Sequence, residues 1–143
     1  MKFAKVNGAD IDAVRGSPGL PTTRAWVDWL INVGEKQPWY CGIAASRVGT
    51  ESQSPKLYGR VLNALREIYK FDEEDIEHFW LHSEVDVEHG ERGFKALIRH
   101  CTSREMQDMA IKFARESAHM RWLYFDGIYL HYEQGYDLKL PPL

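Results

Sequence analysis

His82, Asp86 and His89 stand at i, i+4 and i+7 in the stretch His82-Ser83-Glu84-Val85-Asp86-Val87-Glu88-His89-Gly90, two imidazoles and a carboxylate at helical spacing. Residues three, four and seven apart share one face of a helix, because about 3.6 residues make a turn. Three side chains of metal-ligand type therefore point the same way. With Asp86 as origin and about 100° per residue, Phe79, His82, His89, Gly93 and Leu97 all fall within roughly 60° of it. Glu77, Glu84, Glu88, Glu91, Lys95 and Arg99 gather on the opposite side. The polar face is thus already assigned, and the array belongs to the core-facing stripe. Burying these groups without partners is costly, and a metal ion is one way to compensate for that cost.

A fourth candidate comes from upstream. Glu51 continues the inward stripe of Ala44 and Val48 at the point where their helix must stop before Ser54-Pro55. Two imidazoles and two carboxylates suit non-heme iron, with manganese as the second choice, held as a mononuclear site or as half of a dimetal site. The same residues allow two metal-free arrangements. In one, His82 and His89 are core histidines bonded to Asp86 and to backbone carbonyls. In the other, His89 is a general base oriented by Asp86. Arg92 lies one turn after His89 and about 120° off the inward stripe. It either adds a catalytic cation beside His89 or pairs with a surface glutamate.

The elements that must position these residues read as five helices. Gly8, Gly16, Pro18, Gly19 and Pro21 punctuate an irregular arm over 1–21. Thr22 or Thr23 caps a helix over 22–36 with Trp26, Trp29, Leu30 and Val33 inward. Pro38 opens a second helix over 38–51. Ser54-Pro55 starts a third over 54–69, with Leu57, Val61, Leu62, Leu65 and Ile68 inward. The array lies on a fourth helix over 72–100, and a capping box from Thr102 to Glu105 starts a fifth over 102–132. The remainder, 133–143, contains Pro141-Pro142 and reads as a tail. No segment alternates with period two, so the expected fold is an all-α bundle in one domain.

Bulk properties exclude several functions. In 143 residues, 18 basic and 21 acidic side chains leave a net charge of −3, and no basic block marks a nucleic-acid footprint. No stretch is long and apolar enough for a membrane span, and the N-terminus lacks a signal-like apolar core. A cytoplasmic protein is expected. Cys41 and Cys101 fit no zinc spacing and read as buried thiols. His119 and Asp126, seven apart on the last helix with Trp122 and Tyr129, read as a core edge with one hydrogen-bonded pair. His78 and His100 flank the array without partners of their own, and Tyr58 and Tyr69 read as packing residues.

Several segments together resemble the heme-oxygenase-like helical fold shared by thiaminase II, pyrroloquinoline quinone synthase and the heme-oxygenase-like diiron oxidases, or iron-containing redox enzymes. They are Pro21-Thr22-Thr23-Arg24-Ala25-Trp26 opening a helix, Glu51 followed by Ser54-Pro55-Lys56-Leu57-Tyr58, the His-x3-Asp-x2-His-Gly array, and Trp122-Leu123-Tyr124-Phe125-Asp126-Gly127. The resemblance runs over 8–132, and the array is its most specific part. It implies that Glu51, His82, Asp86 and His89 are the C-terminal ligands of a two-iron site that acts on a small organic substrate with O2.

In that family an earlier helix adds a Glu and a His, and neither has a counterpart in this chain. The resemblance therefore implies either a C-terminal portion or a divergent short form, which alone builds at most a mononuclear site. It is expected to form a homo-oligomer or to pair with a chain supplying the missing helices, because a half-bundle exposes an apolar face. Two further expectations stay open. One is cofactor-free oxidation like that of pyrroloquinoline quinone synthase, with His89 and Arg92 gripping substrate and Arg115 as a further cation. The other is a catalytically incomplete structural or binding subunit.

Overall fold

The computed structural model describes residues 2–138, and every regular element among them is helical. They are α1 (Lys2–Val6), α2 (Ile11–Gly16), α3 (Pro21–Lys36), α4 (Trp39–Ile43), α5 (Ser54–Glu67), α6 (Glu77–His100) and α7 (Arg104–Ile128). Between α4 and α5 the chain stays helical, widened to π-turns over Ala44–Thr50 and tightened to a 3-10 turn over Glu51–Gln53. A second π segment, Tyr129–Glu133, closes α7. The all-α expectation holds. The part of the expected tail beyond residue 138 lies outside the described residues.

The expected arm over 1–21 is not irregular. Asp10 caps α2 by accepting from the amides of Asp12 and Ala13, and Phe3 on α1 packs edge-on against Phe79 with ring centroids 5.0 Å apart. Phe3 thereby joins the cluster of Leu62, Leu65 and Ile76, which ties the N-terminus to α5 and to the start of α6. The glycines and prolines at 8, 16, 18, 19 and 21 fall between these short helices or at their ends, so the punctuation is real but the pieces between it fold. Burial of one aromatic supplies what local propensity does not.

The remaining boundaries shift for local reasons. α3 begins at Pro21 with its proline in the first turn, and the Thr22 hydroxyl is buried without a partner instead of capping. α6 begins at Glu77, because 73–76 forms a turn that buries Ile76 completely. Ser103, not Thr102, caps α7, its hydroxyl accepting the Met106 amide at 3.2 Å.

Two further clusters make the centre. Val33, Cys41, Ala45 and Phe113 join α3, α4 and α7, and Ala44, Cys101 and Ala110 join the π segment to α7 and the end of α6. Small residues dominate here, and that lets the backbones approach. A Cβ on Gly49 would lie 2.5 Å from the Ala114 carbonyl oxygen, and one on Gly93 would collide with the Cβ of Arg47. The π segment is therefore held tightly between α6 and α7. Glu51 comes directly after that clamped segment, so its position is fixed by packing on both sides.

Candidate metal centre

Asp86 is the buried member of the array, 3% exposed on α6. His82 Nδ1 lies 3.1 Å from Asp86 Oδ1, and His89 Nδ1 lies 3.8 Å from the same oxygen. His89 Nδ1 in turn stands 3.4 Å from Glu51 Oε2. The four residues thus form one connected chain, Glu51 to His89 to Asp86 to His82. A donor atom each from Glu51, Asp86 and His89 falls within 4.8 Å of the others. His82 sits outside that tightest group and reaches it through Asp86.

The local fold explains the convergence. The i, i+4 and i+7 spacing puts the three α6 side chains on one face, as the wheel predicts. Glu51 comes from the other helical path, and its delivery depends on the π segment, which inserts an extra residue per turn and so re-aims the residues after it. Gly90 helps, since a Cβ there would meet the Cα of Ser52 at 3.5 Å. A methyl there would only touch Ser52, so a side chain longer than alanine's is what would crowd the Glu51 segment.

Electrostatics at the site are balanced in an unexpected way. Arg47 Nη1 donates to Glu51 Oε2 at 2.5 Å. This half-buried ion pair was not foreseen from the sequence, although the i, i+4 spacing of Arg47 and Glu51 is a legible signal for it. Asp86 has no lysine or arginine partner among the described residues; the side chains paired with it are imidazoles. On the far side of His82, the His78 ring lies tilted with its centroid 4.6 Å away, and desolvation first and His82 second hold the His78 pKa below its ordinary 6.5.

The donor chemistry fits a divalent first-row ion. Two carboxylates neutralise its charge, and imidazole with carboxylate is the combination that non-heme iron takes. Burial of Asp86 against imidazoles, with no permanent cation beside it, leaves a carboxylate whose charge a metal would compensate.

Arg92 is exposed and paired with Glu88 one turn earlier on α6. It also borders a small cavity of about 300 Å³ that His89 and Arg47 share. The structure does not pair His119 with Asp126: both are exposed, and Asp126 lines a separate cavity between α5 and α7. Both thiols are buried, and burial pushes the Cys41 thiol above its ordinary value. Among the described residues no helix is long and apolar enough to cross a membrane.

An all-helical bundle carrying a His-x3-Asp-x2-His face opposed by a glutamate defines a class by its chemistry, helical proteins with a carboxylate–imidazole site. The profile of the iron-containing redox enzymes matches residues 2–122, and the chain belongs to that family. It is also similar to a pyrroloquinoline-quinone synthase of Rhizobium meliloti (strain 1021), 26% identical over 134 residues that cover 92% of this chain and 52% of that protein. The chain thus spans about half the length of the curated relative it matches.

Proposed function

We propose that Glu51, His82, Asp86 and His89 hold iron and that the chain serves oxidase-like chemistry on a small organic substrate with O2. The observation that supports this reading best is the gathering of Glu51, Asp86 and His89 donor atoms within 4.8 Å around a buried carboxylate. Membership of the iron-containing redox enzymes agrees with it. Iron bound there would relay electrons from the substrate, which is oxidised, to O2, which is reduced. The protein's own part is to fix the donors: Asp86 and Glu51 bring two negative charges, His89 bridges them, and His82 holds Asp86 from the other side. Arg47 pairs with Glu51 and balances its charge.

Anaerobic reconstitution with Fe(II), followed by desalting and metal analysis, tests the reading, with about one equivalent retained as the expected result. Retention below about a tenth of an equivalent by wild-type protein overturns it and leaves a structural or binding role. Loss of uptake in folded His89→Ala and Asp86→Asn supports it.

A second reading rests on a different observation. His89, Arg47 and Arg92 border one cavity, and that arrangement would serve a cofactor-free oxidation with His89 as base and Arg92 holding an anionic substrate. It predicts activity that survives chelation and disappears in His89→Ala or Arg92→Ala. On the first reading the chain works as a homo-oligomer or paired with a chain that supplies further helices.

A further inference from the structure

A cavity of about 610 Å³ opens between the first turns of α5 and the last turns of α7. These two helices make few direct contacts, and the gap between them contains none of the four candidate ligands. Its volume lies within the range of small-molecule sites. Its walls combine two properties that rarely occur together without a reason.

The first is uncompensated positive charge. Lys56, Arg60 and Arg121 all line the cavity, and among the described residues none of them forms an ion pair. Arg121 is the telling one, because it is only 5% exposed. Its Nη1 donates to the Thr50 carbonyl oxygen at 2.6 Å and to Ser54 Oγ at 3.3 Å, both uncharged acceptors. A buried guanidinium ordinarily has a carboxylate partner. Asp126 is the one carboxylate on the lining; it is exposed, lies beyond ion-pair distance of all three cations, and leaves them in excess.

The second property is aromatic surface at the mouth. Trp122 is 72% exposed, and Phe125 presents its ring beside the Arg121 guanidinium at 5.9 Å. Leu57 completes an apolar wall. A flat apolar body would stack on Trp122 and Phe125 while its anionic end reached Arg121, Arg60 and Lys56.

We propose that this cavity binds a small aromatic carboxylate, separately from the metal centre. Bidentate pairing of a carboxylate with Arg121 compensates the buried charge, and Trp122 covers the ring. The site needs no metal, so binding is the same in apo and reconstituted protein. Its test therefore fails or succeeds independently of the iron reading.

The experiment is calorimetric titration of the chelator-treated full chain with 2-naphthoate and, separately, with the uncharged 2-naphthalenemethanol. Saturable one-to-one binding of the carboxylate, at least about tenfold tighter than the alcohol, is the expected result. The exposed-site variants Lys56→Gln/Arg60→Gln and Trp122→Ala, which leave Arg121 in place and do not threaten the fold, should each weaken 2-naphthoate by about fivefold or more. No saturation by the carboxylate, equal affinity for the alcohol, or unchanged affinity in either variant overturns the proposal.

Discussion

Arg47 donates to Glu51 at 2.5 Å across one turn of the helical path, so a candidate metal ligand already carries its own counter-ion. A metal and the guanidinium must compete for the same carboxylate oxygen, since Oε2 is also the atom that faces His89. Arg47→Gln removes the competitor. The variant should lose about 1 kcal/mol of metal-free stability, the size expected for a half-buried charged hydrogen bond. It should gain more than wild type from added Mn(II) or Fe(II) in a thermal melt. Equal metal-induced shifts in the two proteins would show that Glu51 is not a ligand.

His82 is bonded to Asp86 at 3.1 Å but stands outside the tightest donor group, which leaves two roles to separate. A ligand loses function when replaced by any poor ligand, whereas a positioning residue is rescued by one that keeps the hydrogen bond. His82→Gln retains a donor for Asp86 and should nonetheless fail to take up iron, as His82→Ala does. Iron uptake by His82→Gln at near wild-type stoichiometry would reassign His82 to orienting Asp86, a contribution worth about 10- to 100-fold in affinity.

The clamp around the π segment is testable through its glycines. Gly49→Ala sets a methyl 2.5 Å from the Ala114 carbonyl oxygen and 2.6 Å from the Ser117 Cβ, so backbone must move. The expected cost is about 1–3 kcal/mol in chemical denaturation, with impaired metal uptake as Glu51 shifts. Gly34→Ala is the control, because a Cβ there meets nothing within 4 Å on the exposed face of α3. It should stabilise by about 0.5–1 kcal/mol. A Gly49→Ala variant as stable as wild type would contradict the packing described.

Arg66 grips Glu73 through two bonds of 2.6 and 2.7 Å across the turn that precedes α6. The guanidinium holds the Glu73 carboxyl below its ordinary 4.5. A carboxylate with a lowered folded pKa contributes stability that is present above its unfolded pKa and is lost as pH falls through the folded one. Glu73→Gln should therefore destabilise the protein at pH 7 and converge with wild type in acid. Denaturant midpoints measured from pH 7 down to 2 check this, and a constant gap across that range would refute it. The pair is exposed, so the gap will be small.

Range along the chain decides how much of this was legible in the sequence. The direction of His82, Asp86 and His89 depends only on helical periodicity within one element, and the wheel places them together correctly. Glu51 was also legible from its stripe, but the π-turns that deliver it were not, since they arise from the close approach that Gly49 and Gly93 permit to other helices. Phe3 folding the arm, Ile76 delaying the start of α6, and the cavity around Arg121 all depend on contacts between distant segments. His119 and Asp126 share a face as spaced, yet among the described residues both stay exposed, and Asp126 faces the α5–α7 gap.

The outer side of α6 carries the last prediction. Val87, Phe94 and Ile98 are exposed and recur at i, i+7 and i+11, which lines them along one stripe about 100° from Asp86. Three large apolar side chains in a row on a helix face favour association, because each buried one contributes about 1.5–3 kcal/mol. Light scattering at micromolar concentration should give at least twice the 16.6 kDa of one chain. Phe94→Glu and Ile98→Glu lie away from the packed core and should return the protein to a single chain without lowering helicity. A wild-type monomer over the accessible concentration range, or oligomers indifferent to both substitutions, would exclude this stripe as the contact surface.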